Sequence, residues 1–432
     1  MVADQLEASG LKVFWITTGS RQMRNILAYS SIFNILDLST MKIYLCDNGL
    51  KELEQYSTVS VNGIIASDRI LSKMKKIEAF SYLCCLFKYI NDYLVNNEVE
   101  MVFGEATWAH EMVTAAVCKK LEIPYLAPVN VRYPSSRFAF FEGVTQSHIY
   151  TNTSKIDLVS GVKLHDNFLM SNPSPFYMTK RSKGIVKPLI KHLRRHLTRD
   201  TRDKTVPSIY RLISNEISKK FPKNQQNPKP SGDYYYLPLQ CQPESSIDIL
   251  AGYYRNQREF VSNVSRSLPY GAKLVVKEHP LSAKGENYDY IPSVLTVAST
   301  EDGFELIRNS KCVITISGTV AYEAGLLGVP AVIFTDLFFN ELPTIKRCSS
   351  MEKLSETIED IMNTKADKAS VIAFLAKLFS MSYEGYCESV DVYPDALDEE
   401  NIRMVTYAFM DVIDSYSSTK SATAASMCSK LI

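Results

Sequence analysis

The chain has no run of about 18 uncharged apolar residues, the length a helix needs to cross a bilayer, so no integral membrane segment is expected. Met1 to Gly10 has neither a basic region nor an apolar core, so no secretory leader is expected there. The nine cysteines lack the short paired spacings of a zinc site, and their odd number suits no disulfide framework. Cys84 and Cys85 sit in an apolar run and read as core thiols; the odd count, the lack of a disulfide framework and the absence of an expected leader together point to a reducing, cytoplasmic setting. No Asp-x-Asp pair occurs; the nearest approach, Ser389-Val390-Asp391-Val392-Tyr393, offers one aspartate. No internal sequence repeat is visible. The net charge of +1 names no partner, because it hides a local asymmetry, and nucleic acid is not expected as one.

What is present describes a globular chain. Hydrophobic residues make up 46% and charged residues 22%, and 432 residues are too many for one ordinary core, so two domains are expected. Lys12–Thr18 reads as an apolar strand ending at Gly19-Ser20, with a helix from Arg21 to about Phe33. Lys42–Cys46 reads as a second strand before an Asp47-Asn48-Gly49 turn. Ile70–Asn97 has helical periodicity, as one helix or two, and strands at Val99–Phe103 and from Ile123 flank a helix over Trp108–Leu121. A second series follows Asp233. Its strands lie at Tyr234–Leu239, Ala272–Lys277, Val294–Val297, Cys312–Ile316 and Ala331–Phe334. Helices over Ile247–Leu268, Gly303–Asn309 and Val320–Leu327 separate them, and Met351–Asn363 and Ile402–Tyr416 read as C-terminal helices. Such alternation indicates parallel sheets with helices on their faces, an α/β chain. The Ser/Ala/Thr-rich tail from Ser417 reads as frayed.

Between the two series the composition shifts. Residues 180–229 hold fifteen Lys/Arg against three acids. Gly184–Arg199 places Leu189, Ile190, Leu193 and Leu197 on one helical face, with Pro188 in the first turn. Two readings stand: a solvated insertion, or a basic amphipathic helix on anionic lipid or glycan. His192 and His196 lack a nearby carboxylate and read as surface residues. The expected domains are therefore 1–172, a basic insertion over 173–232, 233–385, and a C-terminal helix and tail over 386–432.

Three segments of the second series carry the chemistry. Ile314 to Gly325 (ITISGTVAYEAG) runs a strand through a Gly/Thr turn into a helix, where amides and the helix dipole favour a phosphate. Glu323, one helical turn in, is placed to accept from a ribose diol. Leu237 to Ser246 (LPLQCQPESS) follows a strand's carboxyl end, where open α/β sheets bind ligands, and offers Gln240, Gln242 and Glu244. The bland alternative is an ordinary helix entry at Pro243-Glu244-Ser245. In Lys277-Glu278-His279-Pro280, Lys277 and His279 point the same way on an extended chain and suit a diphosphate or a carboxylate-bearing sugar nucleotide. His279 is then placed to protonate a leaving phosphate.

In chain order, from the Leu237 segment through Lys277 to the Ile314 turn, the three segments resemble the capsular polysaccharide biosynthesis proteins, relatives of the capsule Kdo transferases and, more distantly, of GT-B glycosyltransferases. The resemblance covers about residues 233–345; the N-terminal half matches only in architecture. It implies two Rossmann-like domains facing across a cleft, with the donor nucleotide on the C-terminal one. It also implies that Lys277 and His279 contact donor phosphate or nucleotide, that Ser317, Gly318 and Thr319 form the phosphate turn, and that Glu323 faces ribose. Gln242-Pro243-Glu244 departs from the Kdo transferases, which leaves the donor sugar open. Such enzymes need no bound metal or other cofactor; the nucleotide sugar, CMP- or UDP-linked, is the co-substrate.

The N-terminal half is expected to supply the acceptor side, a glycan or a lipid-linked carrier. Glu105, at a strand's end, and His110, one helical turn further, are the candidate bases for an acceptor hydroxyl. The alternative makes Thr107 an N-cap and His110 and Glu111 helix-start residues. Thr17 to Arg21 resembles a Gly-containing first turn in which Arg21 meets an anion. The leading expectation is a glycosyltransferase building a surface polysaccharide or glycolipid, with peripheral membrane contact through 180–204. Its rivals are a sugar-nucleotide 2-epimerase-like enzyme and a non-catalytic component of polysaccharide assembly or export.

Overall fold

The structure, a computed structural model, describes residues 1–19, 26, 34–44, 48–151, 156–171, 230–242, 244–280, 286–364, 367–387 and 393–429. The basic segment, Arg21 and Pro243 lie outside them. The strands are β1 (Trp15–Thr17), β2 (Ile35–Asp37), β3 (Val102–Phe103), β4 (Tyr125–Asn130), β5 (Arg137–Glu142), β6 (Tyr235–Pro238), β7 (Leu274–Lys277), β8 (Val294–Val297), β9 (Cys312–Thr315), β10 (Ala331–Ile333), β11 (Ile345–Arg347) and β12 (Tyr383–Glu384). They build an α/β chain whose two Rossmann-like halves face one another, as expected.

The C-terminal half is a six-stranded parallel sheet in the order β11-β10-β9-β6-β7-β8. Every residue of β6, β7, β9 and β10 is buried. Their nearly unbroken apolar sequences suit strands covered on both faces. All five expected strands form. The sixth, β11, is an edge strand whose Lys346 and Arg347 are exposed, so hydrophobic patterning gave no sign of it. The helix expected over Ile247–Leu268 is instead three pieces: Ser245–Asp248, a 3-10 turn at Gly252–Tyr254, and Gln257–Ser267. Asn256 restarts the helix by accepting from the Glu259 N–H.

The N-terminal half departs further from the parallel pattern. β1 and β2 form a parallel pair, but the main sheet, in the order β12-β5-β4-β3, is mixed. β3 and β4 are parallel, whereas β4–β5 and β5–β12 are antiparallel. The connection from β4 to β5 is too short to carry a crossover helix, which forces the reversal. The second strand is Ile35–Asp37 and not Lys42–Cys46: Lys42 to Tyr44 are irregular, and the rest of that run lies outside the described residues. Ile70–Asn97 is one helix, Lys76–Asn96, entered from a 3-10 turn at Leu71–Lys73. The paired cysteines differ in state: Cys85 is a buried free thiol, while Cys84 is disulfide-bonded, contrary to the expected thiol.

The C-terminal end of the chain returns to the N-terminal half. A helix over Lys368–Ser380 packs on Leu158–Ser171, and β12 adds to β5. A helix over Glu399–Ser429 then lies on Val2–Ala8. It continues through the tail expected to fray. The hydroxyls of Ser415, Ser417, Ser418 and Thr419 donate to carbonyls four residues back, so these polar residues add no competing non-helical bonds. The halves also share a core. Val131, Tyr133 and Phe141 pack in one cluster with Tyr322, Phe339 and Leu342, and the Tyr322 hydroxyl donates to the Tyr133 carbonyl at 2.7 Å.

Candidate functional site

The carboxyl ends of β6, β7 and β9 lie side by side in the sheet, so the loops that follow them open on one edge. After β9, Ser317 is buried, and its hydroxyl accepts from Gln240 Nε2 at 2.7 Å and donates to the Ser246 carbonyl. The Ile314–Gly325 and Leu237–Ser246 segments are thus locked together. Gly318 is required by close approach: a Cβ there would lie 2.8 Å from Thr315 Oγ1. Thr319 is exposed and starts the helix Val320–Leu326 without a side-chain cap. Part of that helix start is already engaged, because the Ala321 N–H returns to the Gly318 carbonyl.

The β6 loop divides by role. The Gln240 backbone makes a reciprocal pair with the Gln257 side chain, at 2.7 and 2.9 Å. Gln242 Nε2 donates to Asp248 Oδ1 and to the Arg255 carbonyl, and its Oε1 accepts from Gln257. The Gln242 amide therefore ties the loop down and does not present itself to a ligand. Glu244 keeps its side chain open to solvent, yet surrounding protein raises its carboxyl pKa, and Arg69 of the N-terminal half pulls the other way. Two buried acceptors stand out: Gln240 Oε1 and Thr315 Oγ1 have no hydrogen-bond partner among the described residues. Polar atoms stranded in this way call for a partner, which an ordered water or a ligand supplies.

Lys277 and Glu323 form the charged floor. Lys277 is 7% exposed, and burial lowers its pKa against the opposing pull of Asp302, Glu323 and Glu301. Its ammonium lies at the start of the Gly303–Arg308 helix, 3.8 Å from where a Gly303 Cβ would sit. Glu323 is equally buried, and desolvation raises its pKa, with Arg132 and then Lys277 opposing. Arg132 Nε and Nη2 both donate to Glu323 Oε1, at 2.9 and 2.6 Å. This ion pair crosses between the halves. Sequence reading missed Arg132, because it stands in the irregular stretch after β4 and belongs to no motif.

His279 sits beside this floor, and its ring is pushed down to about 4 by burial and then by Lys277. The ring is therefore neutral at pH 7, and the proton-donor role expected of it requires a bound anion to raise its pKa. Stability follows from the sign. The folded value lies below the ordinary 6.5, so the contribution is present above pH 6.5 and is lost as pH falls through about 4. Unfolding in urea at pH 7 and pH 4.5 should show a smaller drop for His279→Gln than for the parent; an equal drop refutes the assignment.

On the facing half, Glu105 has an exposed side chain, while its carbonyl accepts from the Tyr125 hydroxyl at 2.5 Å. His110 lies 3.9 Å from Glu111 Oε1. The N-cap of the Ala109–Lys120 helix is Trp108, not Thr107, and Glu111 accepts from the Thr107 and Trp108 amides at 2.6 and 2.9 Å. Glu111 is more than a helix-start residue. Burial pushes its carboxyl up to about 7, against those two amides and with help from Glu105 and Asp68. A carboxyl poised near neutrality is a candidate general base. Its sequence signal was the capping position; its burial was not legible. The Arg69 guanidinium lies 5.2 Å over the Trp108 ring, and Arg255 Nη1 donates to the Ala66 carbonyl at 2.6 Å. The Ala66–Arg69 stretch thus touches both Trp108, beside Glu105, His110 and Glu111, and Arg255, whose carbonyl holds Gln242. Glu323, Lys277 and His279 group deeper along the C-terminal sheet.

No protein-family profile and no curated protein matches this chain. Solved structures do. One is the beta Kdo 2,7 transferase KpsC of Thermosulfurimonas dismutans, at 10% identity and TM-score 0.37, covering 89% of this chain and 99% of that one. Another is UDP-GlcNAc 2-epimerase of Methanocaldococcus jannaschii with UDP-GlcNAc and UDP, at 13% and 0.27, covering 77% and 96%. A third is the wall teichoic acid polymerase TagF, at 14% and 0.23, covering 43% and 50%. Identities and scores this low fix neither a reaction nor a substrate for this chain.

Proposed function

We propose that this chain is a glycosyltransferase of the GT-B kind that takes a nucleotide-activated sugar, CMP- or UDP-linked, and builds a capsular or other surface polysaccharide or glycolipid. One observation carries the reading: Lys277, Glu323 and the partnerless Gln240 Oε1 and Thr315 Oγ1 gather where three parallel strands end. That collection offers a cation for phosphate, a carboxylate for hydroxyls and two acceptors for further donors. Lys277 with the Ser317–Thr319 turn would hold the phosphates, and Glu323 the ribose. The motif resemblance over 233–345 supports the same assignment. On the facing half, Glu111 joins Glu105 and His110 as a base for the acceptor hydroxyl. Basic side chains would stabilise the leaving phosphate without a metal.

A thermal-shift screen against CMP-, UDP- and GDP-sugars tests the reading. A sugar nucleotide at 100 times its dissociation constant should add about 2.7 kcal/mol of stability. No shift with any of them overturns it.

We read the acceptor as glycan or lipid-linked, with peripheral membrane contact through 180–204. The helix before that segment, Leu158–Ser171, supports this: Leu158, Val159, Val162, Leu169 and Met170 on its outer face are 42–77% exposed. Such a ridge, followed in the sequence by the basic stretch over 180–229, suits an anionic bilayer surface. The protein should sediment with phosphatidylglycerol vesicles at low salt, and Val159→Asp/Met170→Asp should weaken this. Absence of sedimentation removes the membrane contact.

A further inference from the structure

Glu323 is held in an unusual way for a buried carboxylate. Both Arg132 donors converge on Oε1, and the fork does not straddle the two oxygens. Oε2 is therefore left on the side away from the guanidinium. The side chains of the pair are 13% and 9% exposed, and they come from opposite halves of the chain. Tyr322, the preceding residue, is fixed to the same stretch through its bond to the Tyr133 carbonyl. Arg132 and Glu323 are thus set by two adjacent contacts between the same two segments. Glu323 is otherwise surrounded by burial, with Lys277 as the other cation acting on it.

We propose that Arg132 is a positioning residue for the donor site: it reaches across from the N-terminal half and orients Glu323 through Oε1, so that Oε2 accepts from a ribose diol. The inference rests on the nucleotide-sugar reading above and deepens it. Arg132 does not touch the donor. It makes diol recognition conditional on the two halves being docked, because separating them removes the two bonds that fix the carboxylate. A half-open chain would then bind phosphate through Lys277 but discriminate poorly between a ribonucleotide and its dideoxy form.

The test compares UDP and CMP with their 2′,3′-dideoxy counterparts by isothermal titration on the full chain. The parent should bind the better ribonucleotide about tenfold more tightly than its dideoxy form, the value of hydrogen bonds to a charged acceptor. In Arg132→Gln, which keeps amide donors near Oε1, that discrimination should shrink to within about twofold while dideoxy binding stays unchanged. Arg132→Lys should restore most of it, because a point charge can serve a single oxygen. Equal weakening of both nucleotide forms by Arg132→Gln, or discrimination that survives in it, overturns the proposal while leaving the nucleotide site standing. If the parent binds neither UDP nor CMP, the site reading and this inference fall together.

Discussion

Arg132→Ala should destabilise the protein by about 3–5 kcal/mol, the cost of stripping the partner from a buried charge. Glu323 is 7% exposed, and Arg132 is the cation that bonds it directly. Without the guanidinium, the carboxylate must take up a proton or draw water into the seam. Lys277 offsets some of this, since it also favours the ionised form. The pair itself is worth much less than its loss implies, because both ions had to leave water to form it. Arg132→Ala/Glu323→Ala should therefore recover most of the stability lost in the single variant. Urea unfolding of the two variants beside the parent separates these outcomes. A single-variant loss below about 1 kcal/mol would place the pair among ordinary surface ion pairs and remove it as a link between the halves.

The contrast between Glu323 and Arg132 shows how much was legible in the sequence. Glu323 stands in a strand–turn–helix whose spacing dictates its position, so its place at a strand's end could be read directly. Arg132 lies in the short link between β4 and a strand that the sequence did not reveal, β5, which returns antiparallel beside it. The same division holds for the fold. The buried parallel strands of the C-terminal half announce themselves as apolar runs, and all five expected ones form. β12 is two residues long with an exposed glutamate, and its pairing with β5 depends on a contact about 245 residues away along the chain, so local pattern could not show it. Burial was the other hidden quantity. Glu111 and Gln242 carry the polarity expected of site residues, but enclosure raises the pKa of one and ties the other into its own loop.

Gly161→Ala sets two known effects against each other, and their sizes decide the sign. Within the Leu158–Ser171 helix, replacing glycine by alanine should favour the helix by about 1 kcal/mol. Packing opposes this. A Cβ at Gly161 would lie 2.4 Å from the Ile372 carbonyl oxygen and 2.9 Å from the Ala376 Cβ on the neighbouring helix. The first obstacle is backbone, so no rotamer change relieves it, and the helices must move apart. Overpacking a well-filled interface costs about 1–3 kcal/mol, and a clash with backbone belongs at the top of that range or beyond it. The net result should be a loss of about 2 kcal/mol in urea unfolding. Gly252→Ala is the control, since nothing lies within 4 Å of a Cβ there. The displaced helix, Lys368–Ser380, leads directly into β12, so the damage should spread to the β5–β12 pairing and appear as faster amide exchange in Phe138. A gain in stability from Gly161→Ala would mean that the two helices do not approach so closely, and the return of the chain to its N-terminal half would need another anchor.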